Sequence, residues 1–178
     1  VGVRIAPNGQ MKTEYSYRMN QAIELSEKLS HSYLTRAETT IAYYSRWLSL
    51  LGFYLPITCF TEKQCEKIQT PVYQVILPKL GYNRHIPLAI RYGPTSLGGA
   101  GLVHVYTEEI IKHLQYFVGT IRQKSELSTS ILISLSLLQL KTGTGVLFLN
   151  TQKSKFPYIT GESRHLFLWK VSNELNIQ

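Results

Sequence analysis

Residues 77–102 read LPKLGYNRHIPLAIRYGPTSLGGAGL, and the two halves of the chain take their meaning from this join. Pro78, Pro87 and Pro94, with Gly81, Gly93, Gly98, Gly99 and Gly101, rule out one long helix. Lys79, Arg84, His85 and Arg91 alternate with Tyr82, Asn83 and Tyr92. On either side the apolar residues recur at helical spacing. A stiff, basic, aromatic-bearing connection therefore sits between helical halves. Cations beside flat rings suit phosphates and stacked bases. The competing reading is a charged surface loop that only joins two helices.

The 178 residues suffice for one domain, or one with an appendage, and for a real core. A formal charge of +8, spread along the chain, favours an anionic partner such as nucleic acid. Every acidic residue is Glu; there is no Asp. Two-metal phosphoryl chemistry rests on clustered carboxylates, so a metal-dependent polymerase or nuclease site is not expected here, and neither is a bound cofactor or metal. A Ser/His/Asp set is impossible, although Glu can replace Asp, and no nucleophile–base spacing stands out. Cys59 and Cys65 fit neither a zinc finger nor a CxxC motif, which points to free thiols and an intracellular location, nucleus or cytoplasm. The longest apolar run, Ile131 to Leu140, is too short to span a bilayer.

The expected fold is mainly α: an irregular bundle of five to six helices, a short N-terminal strand and the basic Pro/Gly-rich loop. Val1 to Ile5 reads as a strand cut in the middle and Pro7-Asn8-Gly9 as a turn, as if excised from something larger. A first helix, Met11 to Ser32, carries an apolar stripe of Tyr15, Met19, Ala22, Ile23, Leu25 and Leu29, with Glu14 and Arg18 on other faces. A second opens on the capping box Thr35-x-x-Glu38 and buries Ile41, Tyr44, Leu48 and Leu51. Arg36 in its first turn opposes the helix dipole. A third opens at Thr61 and should kink or break at Pro71. Cys65 on its apolar face reads as core. A fourth, capped by Thr107, runs to Lys124, with Ile110, Ile111, Leu114, Phe117, Val118 and Ile121 inward. Lys112, His113, Arg122 and Lys124 form a second basic surface, and neither His104 nor His113 has a third metal ligand at suitable spacing. A fifth, Ser128 to Leu140, is apolar nearly all round; it is the most buried helix or covers a neighbouring domain, and a strand also fits the pattern. A last helix spans Glu162 to Leu175, with Leu166, Trp169 and Leu175 on its apolar side.

Several of these elements resemble the thumb and connector of a reverse transcriptase of the non-LTR retrotransposon type. Val1-Gly2-Val3 resembles the Leu-Gly-Val strand that ends the family's palm, and Leu34-Thr35-Arg36 its Leu-x-Arg pattern. Leu77-Pro78-Lys79 is similar to its apolar-Pro-Lys turn. Pro94 followed by Gly98-Gly99-Ala100-Gly101-Leu102 is similar to its Pro-x-x-x-GG-x-G-Leu segment. The resemblance covers residues 1–124 best. It implies the end of a palm strand at 1–10, a thumb-like domain at 11–124 and a helical connector at 125–178. The catalytic aspartates and their Mg²⁺ would belong to an upstream palm. The implied partners are an RNA–DNA or DNA duplex, gripped through phosphates, and the palm and fingers of the same polyprotein; no membrane is involved. The implied contact residues are Lys79, Arg84 and Arg91, then Arg36 and His85, with Tyr82 and Tyr92 for stacking and Gly98, Gly99 and Gly101 shaping the loop. A structural domain that docks an acidic protein is the alternative.

Overall fold

Two long helices make the frame. In the computed structural model, which describes residues 2–6, 9–160 and 163–175, α1 (Lys12–His31) packs along α4 (Glu62–Lys79). Between them lies one continuous helical run: α2 (Arg36–Ala42), a π-helical segment (Tyr43–Leu48) and α3 (Ser49–Tyr54). The basic loop follows α4 and contains α5 (Leu88–Tyr92). Then come α6 (Val105–Gln123), α7 (Glu126–Thr142), short 3₁₀ turns, and α8 (Arg164–Leu175), which packs against α6. Trp47, Leu51, Tyr54, Ile68, Val72 and Val105 anchor the core at full burial. Each such side chain contributes about 1.5–3 kcal/mol.

The described residues form a helical bundle without a strand. The expected N-terminal strand is absent in residues 2–6; Val1 lies outside the described residues, as do Pro7 and Asn8 of the expected turn. A lone strand leaves its backbone unpaired. Here side chains of α1 serve instead: Arg4 N–H donates to Glu14 (2.8 Å) and Arg18 to the Gly2 carbonyl (3.5 Å).

The expected apolar stripe of α1 is buried in part, Ala22 and Leu29 within the core and Tyr15 and Leu25 against it, but the buried face is rotated toward polar residues. Glu14 and Arg18 are buried, 2.5 Å apart, and Ile23 is exposed. The Arg18 guanidinium lies over the Tyr54 ring, 4.3 Å from its centroid. The buried row runs Glu14, Arg18, Ala22, Ser26, Leu29, so hydrogen-bond satisfaction rather than hydrophobicity set the phase.

The second stripe is displaced in part: Leu51 is buried as expected and Leu48 packs against the core. Thr39, Tyr43, Trp47 and Leu51 are buried, while Ile41 and Tyr44 are exposed. Their spacing of four matches the wider π-helical turn, which an α-helical template misreads. The Thr35–Glu38 capping box is formed in both directions. So is a second, Thr61–Gln64, at the start of α4.

α4 does not break at Pro71. Ile68 and Val72, both fully buried, hold the axis on either side, and Lys67, whose carbonyl loses its partner, is exposed. The helix ends in a Schellman motif: Tyr82 N–H donates to Leu77 O, Gly81 N–H to Pro78 O, and Gly81 has φ +84°.

α6 begins two residues before the expected Thr107 cap. His104 is the N-cap, and Gln69 on α4 accepts from Val105 N–H (3.1 Å). A tertiary partner took over the cap. Glu109, His113 and Thr120 face inward, while Ile111, Leu114 and Val118 are exposed. His113 therefore does not belong to a basic surface. α7 is helical but not the most buried helix: Ser128 and Ile131 are its buried residues. In the last helix Trp169 is buried and donates to the Thr151 carbonyl (2.8 Å); Glu162 and the Leu175 side chain lie outside the described residues. No helix of the described residues is long and apolar enough to cross a membrane.

Candidate nucleic-acid interface

The loop after α4 is held shut by its own backbone. Ala100 N–H donates to Ile90 O (2.8 Å), Gly101 N–H to Gly93 O (2.9 Å) and Leu102 N–H to Arg91 O (3.1 Å). The 99 and 93 backbones touch so closely that a Cβ at Gly99 would run into the Gly93 carbonyl. Gly98 and Gly101 have φ of +81° and +65°, the left-handed region that favours glycine. The exit strap is pinned by side chains that the sequence pattern did not flag: Tyr43 accepts from Val103 N–H (2.7 Å), and Tyr73 donates to the Val103 carbonyl.

This framework sorts the expected contact residues into separate groups. Arg84, His85 and Arg91 line one pocket of about 290 Å³ against Gln69, Thr70 and Gln74 of α4, with no carboxylate among the described residues in its wall. Arg91 donates to the Arg84 carbonyl (3.1 Å), and its buried Nε–H has no partner among the described residues. Arg36, Tyr82, Gly98 and Gly99 line a second pocket of about 210 Å³ on the α2 side. There the Arg36 guanidinium lies 5.8 Å from the Tyr82 ring centroid, and the Tyr82 hydroxyl donates to the Gly99 carbonyl (3.1 Å). The Arg in the first turn of α2 thus has a ring to rest on.

Lys79 does something else. Its Nζ donates to the carbonyl of Ser32 (2.6 Å), the residue that caps the C-terminus of α1. A cation at that negative helix end is favourable. Tyr92 is packed rather than presented: its hydroxyl accepts from Gln69 (3.1 Å), and its ring meets His104 edge-on at 5.1 Å.

Two further clusters were missed by spacing arguments. Glu62 and Glu66 of α4 meet His104 with all three ligand atoms within 4.8 Å of one another. These are donor types that suit a divalent cation, brought together across some forty residues of sequence; Glu62 also stands at the positive end of α4. The other cluster is internal. Glu109 accepts from Phe60 N–H (2.9 Å), the Thr58 hydroxyl (3.0 Å) and the Cys65 thiol (3.2 Å). Burial outweighs these bonds and raises its pKa to about 8. Cys65 is pushed far up by the same burial and by Glu109, so it remains a thiol and a poor nucleophile. His113 Nε2–H donates to the Thr58 carbonyl while Nδ1 is buried without a partner among the described residues; burial holds its pKa at about 4.

Comparison with protein-family models, with curated proteins and with solved structures gives no match.

Proposed function

We propose that the chain grips nucleic acid through phosphates, without base readout and without catalysis of its own, as a thumb does in a polymerase of the kind its loop resembles. The observation that supports this best is the Arg84–His85–Arg91 pocket. Two guanidiniums and an imidazole share a concave wall with no carboxylate among the described residues to neutralise them. A desolvated N–H on Arg91 has no partner among the described residues. Such a group gains most from an incoming phosphate oxygen. The Arg36–Tyr82 pair, in the separate pocket on the α2 side, offers a further cation and a ring to a polyanion. The Arg84→Glu/Arg91→Glu variant tests the reading by fluorescence anisotropy on a short RNA–DNA hybrid across a salt series. Losing two phosphate contacts should flatten the slope of log affinity against log salt by about 2. An unchanged slope with unchanged affinity refutes it.

A second reading, a protein-docking helical domain, draws on α7. Leu132, Ile133, Leu137 and Leu140 are 49%, 56%, 54% and 77% exposed on a single helix. Apolar surface of this kind marks an interface with another protein domain. A stable protein complex that the Leu137→Glu/Leu140→Glu variant abolishes, with no hybrid binding by the parent chain, would favour it.

A further inference from the structure

A further concavity lies away from the basic loop. A cleft of about 1060 Å³ opens between the start of α1, the start of α4 and residues 153–160 and 163–170. Its size is that of small-molecule sites. Lys12, Lys153 and Lys170 line it, and no carboxylate among the described residues does. Lys170 is paired with Glu174 at 3.6 Å; Lys12 and Lys153 have no ion-pair partner among the described residues. Buried Phe60 and Trp169 form its apolar floor, and half-buried Tyr15 and Phe156 stand in its walls. Lys12 holds the first position of α1, where a cation is electrostatically disfavoured and where the Met11 side chain supplies no cap. An anion placed there would relieve both.

The wall chemistry selects the ligand. An inorganic anion alone would leave the rings unused. A neutral apolar ligand would strip water from two lysines without compensation. An organic anion with a flat ring satisfies both. We propose that this cleft binds a nucleoside monophosphate, its base against Tyr15 and Phe156 and its phosphate on Lys12 and Lys153. Lysine serves such a phosphate as a point charge, and ring stacking is tolerant of base identity.

Titration calorimetry on the full chain tests this with adenosine monophosphate, adenosine and inorganic phosphate. The monophosphate should bind at least about tenfold tighter than either fragment, each fragment lacking one of the two contacts. Lys12→Glu/Lys153→Glu should weaken it by about tenfold or more; both lysines are exposed, and Glu suits the start of α1, so the fold survives. Phe156→Ala should weaken the monophosphate but not inorganic phosphate. In the Arg84→Glu/Arg91→Glu background, where the loop pocket can take no phosphate, the monophosphate should still bind and keep its preference over both fragments. That contrast separates this site from the hybrid-gripping loop. No binding of the monophosphate up to on the order of 10 mM, a range that covers weak small-ligand affinities, overturns the proposal. So does equal binding by the double lysine variant, or loss of binding in the loop variant instead. Capture of an acidic aromatic peptide with no response to the monophosphate also overturns it.

Discussion

Glu109→Gln should remove most of the loss of stability between pH 6.5 and 8. In the folded chain Glu109 titrates at about 8, against an ordinary value of 4.5. Between those limits the folded state holds one proton more than the unfolded state. Stability is therefore fully present below 4.5 and falls by about 1.4 kcal/mol per pH unit as pH rises toward 8. His113 acts in the opposite sense. Its folded value of about 4 lies below the ordinary 6.5, so its contribution is present above 6.5 and lost as pH falls toward 4. The two slopes cancel between 4.5 and 6.5, where the lowered pKa of His165, held down by burial and Arg164, adds only to the acid-side loss. From 6.5 to 8 Glu109 acts alone, and the loss comes to about 2 kcal/mol. Gln keeps an acceptor for Phe60 N–H and the Thr58 hydroxyl but cannot ionise. Urea unfolding at pH 6.5 and 8, followed by circular dichroism, measures the difference. A parent chain whose stability is flat over that window, or a variant that keeps the slope, would show that Glu109 is not the responsible proton site.

Four further outcomes follow from particular contacts. Arg18→Met strands the buried Glu14 carboxylate and should cost about 3–5 kcal/mol by chemical denaturation, most of it recovered when Glu14→Gln is added. Gly99→Ala drives a Cβ into the Gly93 carbonyl; at about 2 kcal/mol of strain the melting temperature should drop by about 4–8 °C, and an unchanged melting curve would mean the loop is not closed as described. Lys79→Gln should destabilise by about 1 kcal/mol through the Ser32 carbonyl yet leave the salt slope of hybrid binding unchanged, the opposite pattern to Arg84→Glu/Arg91→Glu. Leu137→Glu and Leu140→Glu should each change stability by no more than about 0.5 kcal/mol, because neither side chain is packed; a large loss would place α7 in the core.

Local chemistry was readable along the chain. Thr35 with Glu38 and Thr61 with Gln64 announce two helix starts, because a capping box involves only four consecutive residues. The breakers of residues 77–102 mark the join for the same reason: a left-handed φ or a missing N–H acts at its own position. Helix faces were less readable, because a stripe shows which residues repel water but not which polar groups find partners. Glu14 and Glu109 are buried on account of Arg4, Arg18, Thr58, Phe60 and Cys65, and that forced apolar neighbours outward.

The basic residues divide along the same line. Their presence in one loop is written in the chain, and so is their charge. Which of them points into an open pocket is a matter of what lies across the fold. Ser32 takes Lys79, Gln69 and His104 enclose Tyr92, and the α4 wall draws Arg84, His85 and Arg91 into one pocket. A charge is a property of a residue; its direction depends on partners up to 47 positions away, and only packing brings those within hydrogen-bond reach.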